Sequence, residues 1–200
     1  MKYIIMADGK GTRWANAEGI PKHLVKVGNE TLLERSVRLI KEYDSKADII
    51  ITSHDKRYEI KDSTRYEPKN NVLEIDRFTE ELIEDNVCFM YGDTYYSNDA
   101  MNTIVNTDIK NSPLIFFGTE KSIVAIKVKD GNIFKSHVDN VRTLYKKGLI
   151  KKCIGWQVYA SYTNASYDDK VISKDFIKLK DNTTDFNKYE EYLDIKKDLY

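Results

Sequence analysis

The sequence predicts an α/β fold in which a mixed, mostly parallel sheet is flanked by helices. Three observations predict it. Short apolar runs at residues 3–6, 47–52 and 87–91 alternate with segments of helical spacing, the rhythm of βαβ units with right-handed crossovers. The first run stops at a glycine-spaced loop and the third at Gly92-Asp93, so polar residues stand at the strand ends where α/β sheets bind ligands. After Asp93 the apolar runs become short and crowded, which predicts antiparallel strands added to the same sheet.

The opening strand, Lys2-Tyr3-Ile4-Ile5-Met6, runs into Ala7-Asp8-Gly9-Lys10-Gly11-Thr12-Arg13 and then Pro21-Lys22-His23-Leu24. Gly9 and Gly11 permit turns closed to other residues and bring backbone N–H groups close to an anion. Arg13 adds a planar cationic fork and Lys22, read as an exposed loop lysine, a compact point charge. The segment is therefore predicted to hold phosphates. A dinucleotide fingerprint is excluded because its third glycine would fall at Trp14. A P-loop is excluded because Ile4 stands where its first glycine belongs and Gly11 follows Lys10. A plain tight turn accounts for Gly9-Lys10-Gly11 but leaves Thr12-Arg13 and Pro21-Lys22 unexplained.

Residues 31–40 carry apolar side chains at helical spacing, and residues 47–52 form a run short enough for a buried strand. Residues 73–84 read as a helix with Leu73, Phe78, Leu82 and Ile83 on one side, followed by the strand at 87–91 that delivers Asp93. Residues 114–117 and 122–128 read as strands, Asp130-Gly131 as a turn, and the aromatic-rich stretch 154–162 as another extended segment. A last strand at 176–180 leads into Asp181-Asn182-Thr183-Thr184-Asp185-Phe186 and a final helix. No repeat, linker or low-complexity stretch divides the chain, so residues 1–200 are read as one domain.

With 32 basic and 32 acidic side chains in 200 residues, the formal net charge is zero, which argues against broad binding to nucleic acid. Lys146-Lys147 and Lys151-Lys152 are short clusters of a solvated face. The two cysteines, Cys88 and Cys153, lie in apolar runs without metal spacing and are read as reduced core residues of an intracellular protein. The apolar run that stops at Ala7 is too short for a signal, and no stretch approaches the roughly 20 apolar residues of a membrane span. A cytoplasmic location and no membrane partner are expected. His23, His54 and His137 stand in no spacing that pairs them with a nucleophile or metal, and Trp14 and Trp156 read first as packing residues.

The stretch Asp8-Gly9-Lys10-Gly11-Thr12-Arg13, spacer, Pro21-Lys22-His23-Leu24-Val25-Lys26-Val27-Gly28 resembles the signature of the nucleoside-triphosphate transferase family, G-G-x-G-T-R, spacer, P-K-x-L-x-x-V-x-G. Asp8 departs from it, standing where the family usually has glycine. Asp93 after the central strand and the D-x-T-x-x-D-like segment at residues 181–186 extend the likeness. The resemblance implies a three-layer Rossmann-like nucleotidyltransferase fold and transfer of a nucleotidyl group to a phosphate ester. It implies nucleotide contacts from Ala7, Asp8, Gly9, Lys10, Gly11, Thr12, Arg13 and Lys22, with Lys22 and Arg13 catalytic. It also implies a Mg2+ ion on Asp93 and a second aspartate. If Asn182 caps the final helix, Asp185 falls at the capping-box position and Asp181 is the metal ligand.

The wording of the motifs is similar to small cytidylyltransferases of bacterial surface-polysaccharide (capsule) modification. CTP as donor and L-glutamine phosphate or phosphocholine as acceptor are thus expected. A sugar-1-phosphate nucleotidyltransferase using another nucleoside triphosphate, and an inactive nucleotide-binding regulatory protein, stay open as alternatives, as does a homodimer. The acceptor is placed against Trp156, Tyr159 and Lys121, because aromatic walls with polar tips suit a small phosphate ester.

Overall fold

In chain order, β1 (Lys2–Met6) leads through the glycine loop to a short hairpin of β2 (Lys26–Val27) and β3 (Glu30–Thr31). There follow α1 (Leu32–Tyr43), β4 (Asp48–Thr52), β5 (Thr64–Tyr66), β6 (Val87–Tyr91), β7 (Thr94–Tyr95) and α2 (Asn98–Asn106). The second half comprises β8 (Leu114–Gly118), β9 (Ile123–Val128), α3 (Gly131–Lys146), α4 (Gly155–Thr163), β10 (Phe176–Lys178), β11 (Thr184–Asp185) and α5 (Tyr189–Asp198). The structure is a computed structural model that describes residues 1–9, 11, 14 and 19–198.

The main sheet has seven strands in the order β10-β8-β9-β6-β1-β4-β5. β1 pairs in parallel with β4 and β6, β5 in parallel with β4, and β10 in parallel with β8, while β9 runs antiparallel between β6 and β8. This is the mixed, mostly parallel sheet that the alternating pattern predicts. Side chains alternate across β1: Tyr3 and Ile5 join one core with α1 and α2, through Leu33, Val37, Ala100 and Ile104. Ile4 and Met6 join the opposite core with Phe134 and Val138 of α3 and Val158 of α4. A strand covered on both faces must be apolar there, which is why 3–6 reads as an unbroken run. Helix α1 begins where Thr31 and Glu34 form a capping box, each side chain accepting the other's backbone N–H at 3.1 and 2.7 Å.

Four elements differ from the sequence reading. Residues 73–84 form no α-helix but two short 3₁₀ turns, Glu74–Phe78 and Glu80–Leu82, separated by Thr79 at φ 35°. The Asp76 carboxylate accepts the N–H groups of Val72 and Leu73, closing the first turn on itself. The expected extended segment at 154–162 is helix α4, with six consecutive buried residues from Gly155 to Ala160; a helix enclosed on every side carries no 3.6-residue period, so its aromatics mimic a strand. Asp130 is the N-cap of α3, its carboxylate accepting the Ile133 N–H at 3.0 Å, rather than part of an isolated turn. Finally, Asp185 is not a capping residue. Residues 184–185 pair with β7, and the carboxylate that accepts the N–H groups ahead of α5, those of Asn187 and Lys188, belongs to Glu191.

Both cysteines are free and buried, and burial pushes the Cys88 thiol up to about 12 and Cys153 to about 11. Among the described residues no helix is long and apolar enough to cross a membrane.

Candidate active site

Because β1, β4 and β6 run parallel and in register, their carboxyl ends deliver Ala7-Asp8, Ser53-His54 and Gly92-Asp93 to one edge of the sheet. Gly92 sets the approach. Its N–H donates to the Met6 carbonyl at 3.0 Å, and a Cβ at this position would lie 3.0 Å from that oxygen and 3.1 Å from Ala7 Cβ. Only glycine lets the chain cross so closely, and the crossing sets Asp93 beside the glycine loop.

Lys22 reaches the same point from the other side. Pro21, at φ −59°, leads into a 3₁₀ turn over Lys22–Leu24, and the Lys22 ammonium pairs with the Asp93 carboxylate. The sequence reading takes Lys22 for an exposed loop lysine; the structure buries it to 8% exposure, against 7% for Asp93. Burial works against the charged carboxylate, but the adjacent Lys22 ammonium holds Asp93 below its ordinary range.

Two cavities meet at this pair. One, of about 280 Å³, is lined by Ala7, Asp8, Gly9, Gly11 and Lys22, with His54 and Tyr58 opposite. The other, of about 220 Å³, is lined by Asp93, Asp185, Arg77, Lys121, Trp156 and Lys170. Asp185 arrives there because β11 pairs antiparallel with β7, setting Asp185 opposite Thr94, and the Phe186 N–H donates to the Asp93 carbonyl at 3.0 Å. Its carboxylate accepts the Ser122 hydroxyl at 2.5 Å and the Asn187 amide at 2.8 Å.

The predicted residues are thus partly brought together. Asp93, Lys121 and Trp156 share one cavity and Ala7, Asp8, Gly9, Gly11 and Lys22 the other. Asp181 does not line the Asp93 cavity; it accepts the Thr183 N–H at 2.8 Å and lines a neighbouring cavity that Lys121 and Asp185 also line. Tyr159 lies in the core at 1% exposure, its hydroxyl donating to the Lys174 carbonyl. Lys10, Thr12 and Arg13 lie outside the described residues. Arg77 and Lys170 enter the site with no motif to announce them. Asp185 was visible in the D-x-T-x-x-D-like segment, where the capping argument sets it aside in favour of Asp181.

Asp8, the departure from the family pattern, spends its carboxylate locally. It accepts the His54 N–H at 3.0 Å and the Asn71 amide at 2.8 Å and pairs with the His54 ring at 2.8 Å. The loop after β1 is thereby tied to the end of β4. Among the described residues no cluster of three or more His, Cys, Asp or Glu side chains forms a metal centre. Two carboxylates on one cavity wall nonetheless suit Mg2+, which is commonly held by one or two carboxylates plus substrate phosphates.

His23, next to Lys22, is buried with its Nδ1 2.9 Å from the Tyr58 hydroxyl. Burial, with the charges of Lys22 and Arg77, pushes its pKa down to about 3 from 6.5. The unfolded chain therefore binds this proton first as pH falls. Stability held by the neutral ring is complete above pH 6.5 and is lost as pH falls through that value towards 3, by about 1.4 kcal/mol per pH unit. Between about pH 7 and pH 5, wild type is expected to lose roughly 2 kcal/mol more than His23→Asn in urea unfolding. Parallel losses would show that His23 titrates freely.

No family model matches the chain, and no curated protein matches it. Solved structures do. The CTP:phosphocholine cytidylyltransferase of Streptococcus pneumoniae superposes with a TM-score of 0.62 at 17% identity, covering 100% of this chain and 99% of that one. The UTP-bound UGPase of Acinetobacter baumannii gives 0.66 at 12% identity, covering 98% and 92%. The inositol-1-phosphate CTP transferase of T. maritima gives 0.58 at 9%, covering 99% and 95%. The chain has the Rossmann-like nucleotidyltransferase fold.

Proposed function

We propose that this chain is a cytidylyltransferase, transferring CMP from CTP to a small phosphate monoester and releasing pyrophosphate. The observation that carries the reading is the buried Lys22–Asp93 pair between two cavities, one walled by the glycine loop and the other by Asp185, Lys121 and Trp156. Such a layout suits two anionic reactants that must meet. CTP phosphates lie against the loop amides and Lys22, the acceptor lies in the second cavity, and its phosphate reaches the α-phosphorus where the cavities join. An acceptor oxygen forms the new bond to the α-phosphorus as the bond to the bridging oxygen breaks, and that electron pair leaves with pyrophosphate. A phosphate dianion is already a nucleophile near neutral pH, so no general base is required. His23, neutral and turned to Tyr58, is left to packing.

Lys22 stabilises charge on the α-phosphate, and Arg13 is assigned to the β- and γ-phosphates. Asp93 and Asp185 are the residues that would hold Mg2+, which supplies charge neutralisation and Lewis acidity at the phosphates. Asp185 takes this role in preference to Asp181, because Asp185 shares the Asp93 cavity. CTP is favoured as donor because the similar structures include a CTP:phosphocholine cytidylyltransferase and an inositol-1-phosphate CTP transferase. L-Glutamine phosphate and phosphocholine are the acceptors to try first, with a role in surface-polysaccharide modification from the cytoplasm. The likeness to a UTP-bound protein supports a second reading, a sugar-1-phosphate nucleotidyltransferase.

The test is pyrophosphate release with each nucleoside triphosphate against a panel of phosphate monoesters, with Mg2+. Turnover with CTP and a non-sugar phosphate is expected. Turnover confined to another nucleotide with a sugar 1-phosphate selects the second reading, and none with any pair ends the transferase proposal.

A further inference from the structure

We propose that Arg77 is the anion fork that binds the attacking phosphate of the acceptor. This deepens the nucleotidyltransferase reading and rests on it for the identity of the anion. Arg77 lines the Asp93 and Asp185 cavity, opposite Lys121 and Trp156, and does not line the loop cavity. Its guanidinium nevertheless touches the partition between them. A Cβ on Gly9 would lie 3.1 Å from Arg77 Nη2 and 3.2 Å from Cζ, so the fork lies directly against the glycine loop, beside the place where the two phosphates must approach.

The fork is held from behind and left free in front. Asp76, at 4% exposure, accepts the N–H groups of Val72 and Leu73 and pairs with Arg142 of α3 at 3.3 Å. The turn that presents Arg77 is thus anchored to a core helix. The Arg77 side chain is only 21% exposed, yet its one ion pair among the described residues is a loose 3.5 Å contact with Glu74, itself 46% exposed. No guanidinium hydrogen bond to a described residue accompanies that contact. A half-buried fork that lines the cavity with donors not committed to the protein is free to take an anion there. The phosphate monoester is the anion whose oxygens match it, since the planar fork takes two of them at once. Lysine, a point charge, would not reproduce this.

The experiment compares wild type, Arg77→Ala and Arg77→Lys by steady-state kinetics with Mg2+, CTP and the best acceptor. Binding of inorganic phosphate is measured alongside by calorimetry, with circular dichroism to check folding. Losing a charge-assisted fork is expected to raise KM for the acceptor by about 10-fold or more, while KM for CTP moves by less than about threefold. Arg77→Lys is expected to recover only part of the loss, and both variants to weaken inorganic phosphate binding by about 10-fold. A rise in KM for CTP with the acceptor constant unchanged would overturn the assignment, as would unaltered phosphate binding. If wild type turns over no pair, the transferase reading fails by itself. The phosphate titration then still decides whether Arg77 is an anion site.

Discussion

Lys22→Met is expected to lower turnover by about 10²-fold or more, the scale of removing one preorganised electrostatic contact to a developing charge. It is expected to lower stability as well. Lys22 and Asp93 are both buried and face each other, so removing the ammonium leaves a carboxylate without its partner, at a cost of about 3 kcal/mol. The two effects separate in the double variant. Lys22→Met with Asp93→Asn removes both charges at similar volume and should recover most of the urea midpoint while turnover stays lost. Pyrophosphate release and urea unfolding at neutral pH measure the pair. A single variant with near-normal turnover would take Lys22 out of the reaction, and a double variant no more stable than the single would show that the charge pair is not what the fold depends on.

The elements that could be read from the sequence are those whose patterns are local. β1 is apolar because it is covered on both faces, and α1 carries its capping box and its stripe within a dozen residues. α3 is also periodic, with Phe134, Val138 and Val141 buried one turn apart, but Asp130-Gly131 reads equally well as a turn or as a helix start. α4 has no period to read because its six leading residues are all buried. The break at Thr79 comes from Asp76 closing the preceding turn and bonding to Arg142, a partner 66 residues away.

The same division runs through the site. Lys22 and Asp93 stand out by their order after the glycine loop, yet their burial depends on Gly92 crossing beneath Met6. Arg77 reaches Gly9 only through the anchoring of Asp76 on α3. Tyr159 and Trp156 are three residues apart on one side of α4 and share an aromatic cluster with Phe176, but only Trp156 also lines the cavity, while Tyr159 packs deeper against Phe116. Read as a strand, the segment would turn them to opposite faces, whereas α4 sets them side by side.

Asp93→Asn and Asp185→Asn are each expected to lower turnover by about 10²-fold or more and to raise the Mg2+ concentration needed for half-maximal rate, because a neutral amide oxygen is a poor ligand for a hard dication. Asp181→Asn is expected to change both by less than about threefold, since Asp181 does not line the Asp93 cavity and polar substitutions away from a site usually do little. The contrast follows from pairing rather than from sequence spacing. Asp185 is brought beside Asp93 by the antiparallel contact of β11 with β7 and by the Phe186 hydrogen bond, whereas Asp181 is turned back on Thr183. Ser122 and Asn187 hydrogen-bond to the Asp185 carboxylate and fix its orientation, so Ser122→Ala should shift the Mg2+ dependence in the same direction but less far. Rate against Mg2+ concentration for the four variants reads this directly. A dead Asp181→Asn with an active Asp185→Asn would return the second carboxylate role to Asp181 and require residues 181–185 to rearrange when the substrates bind.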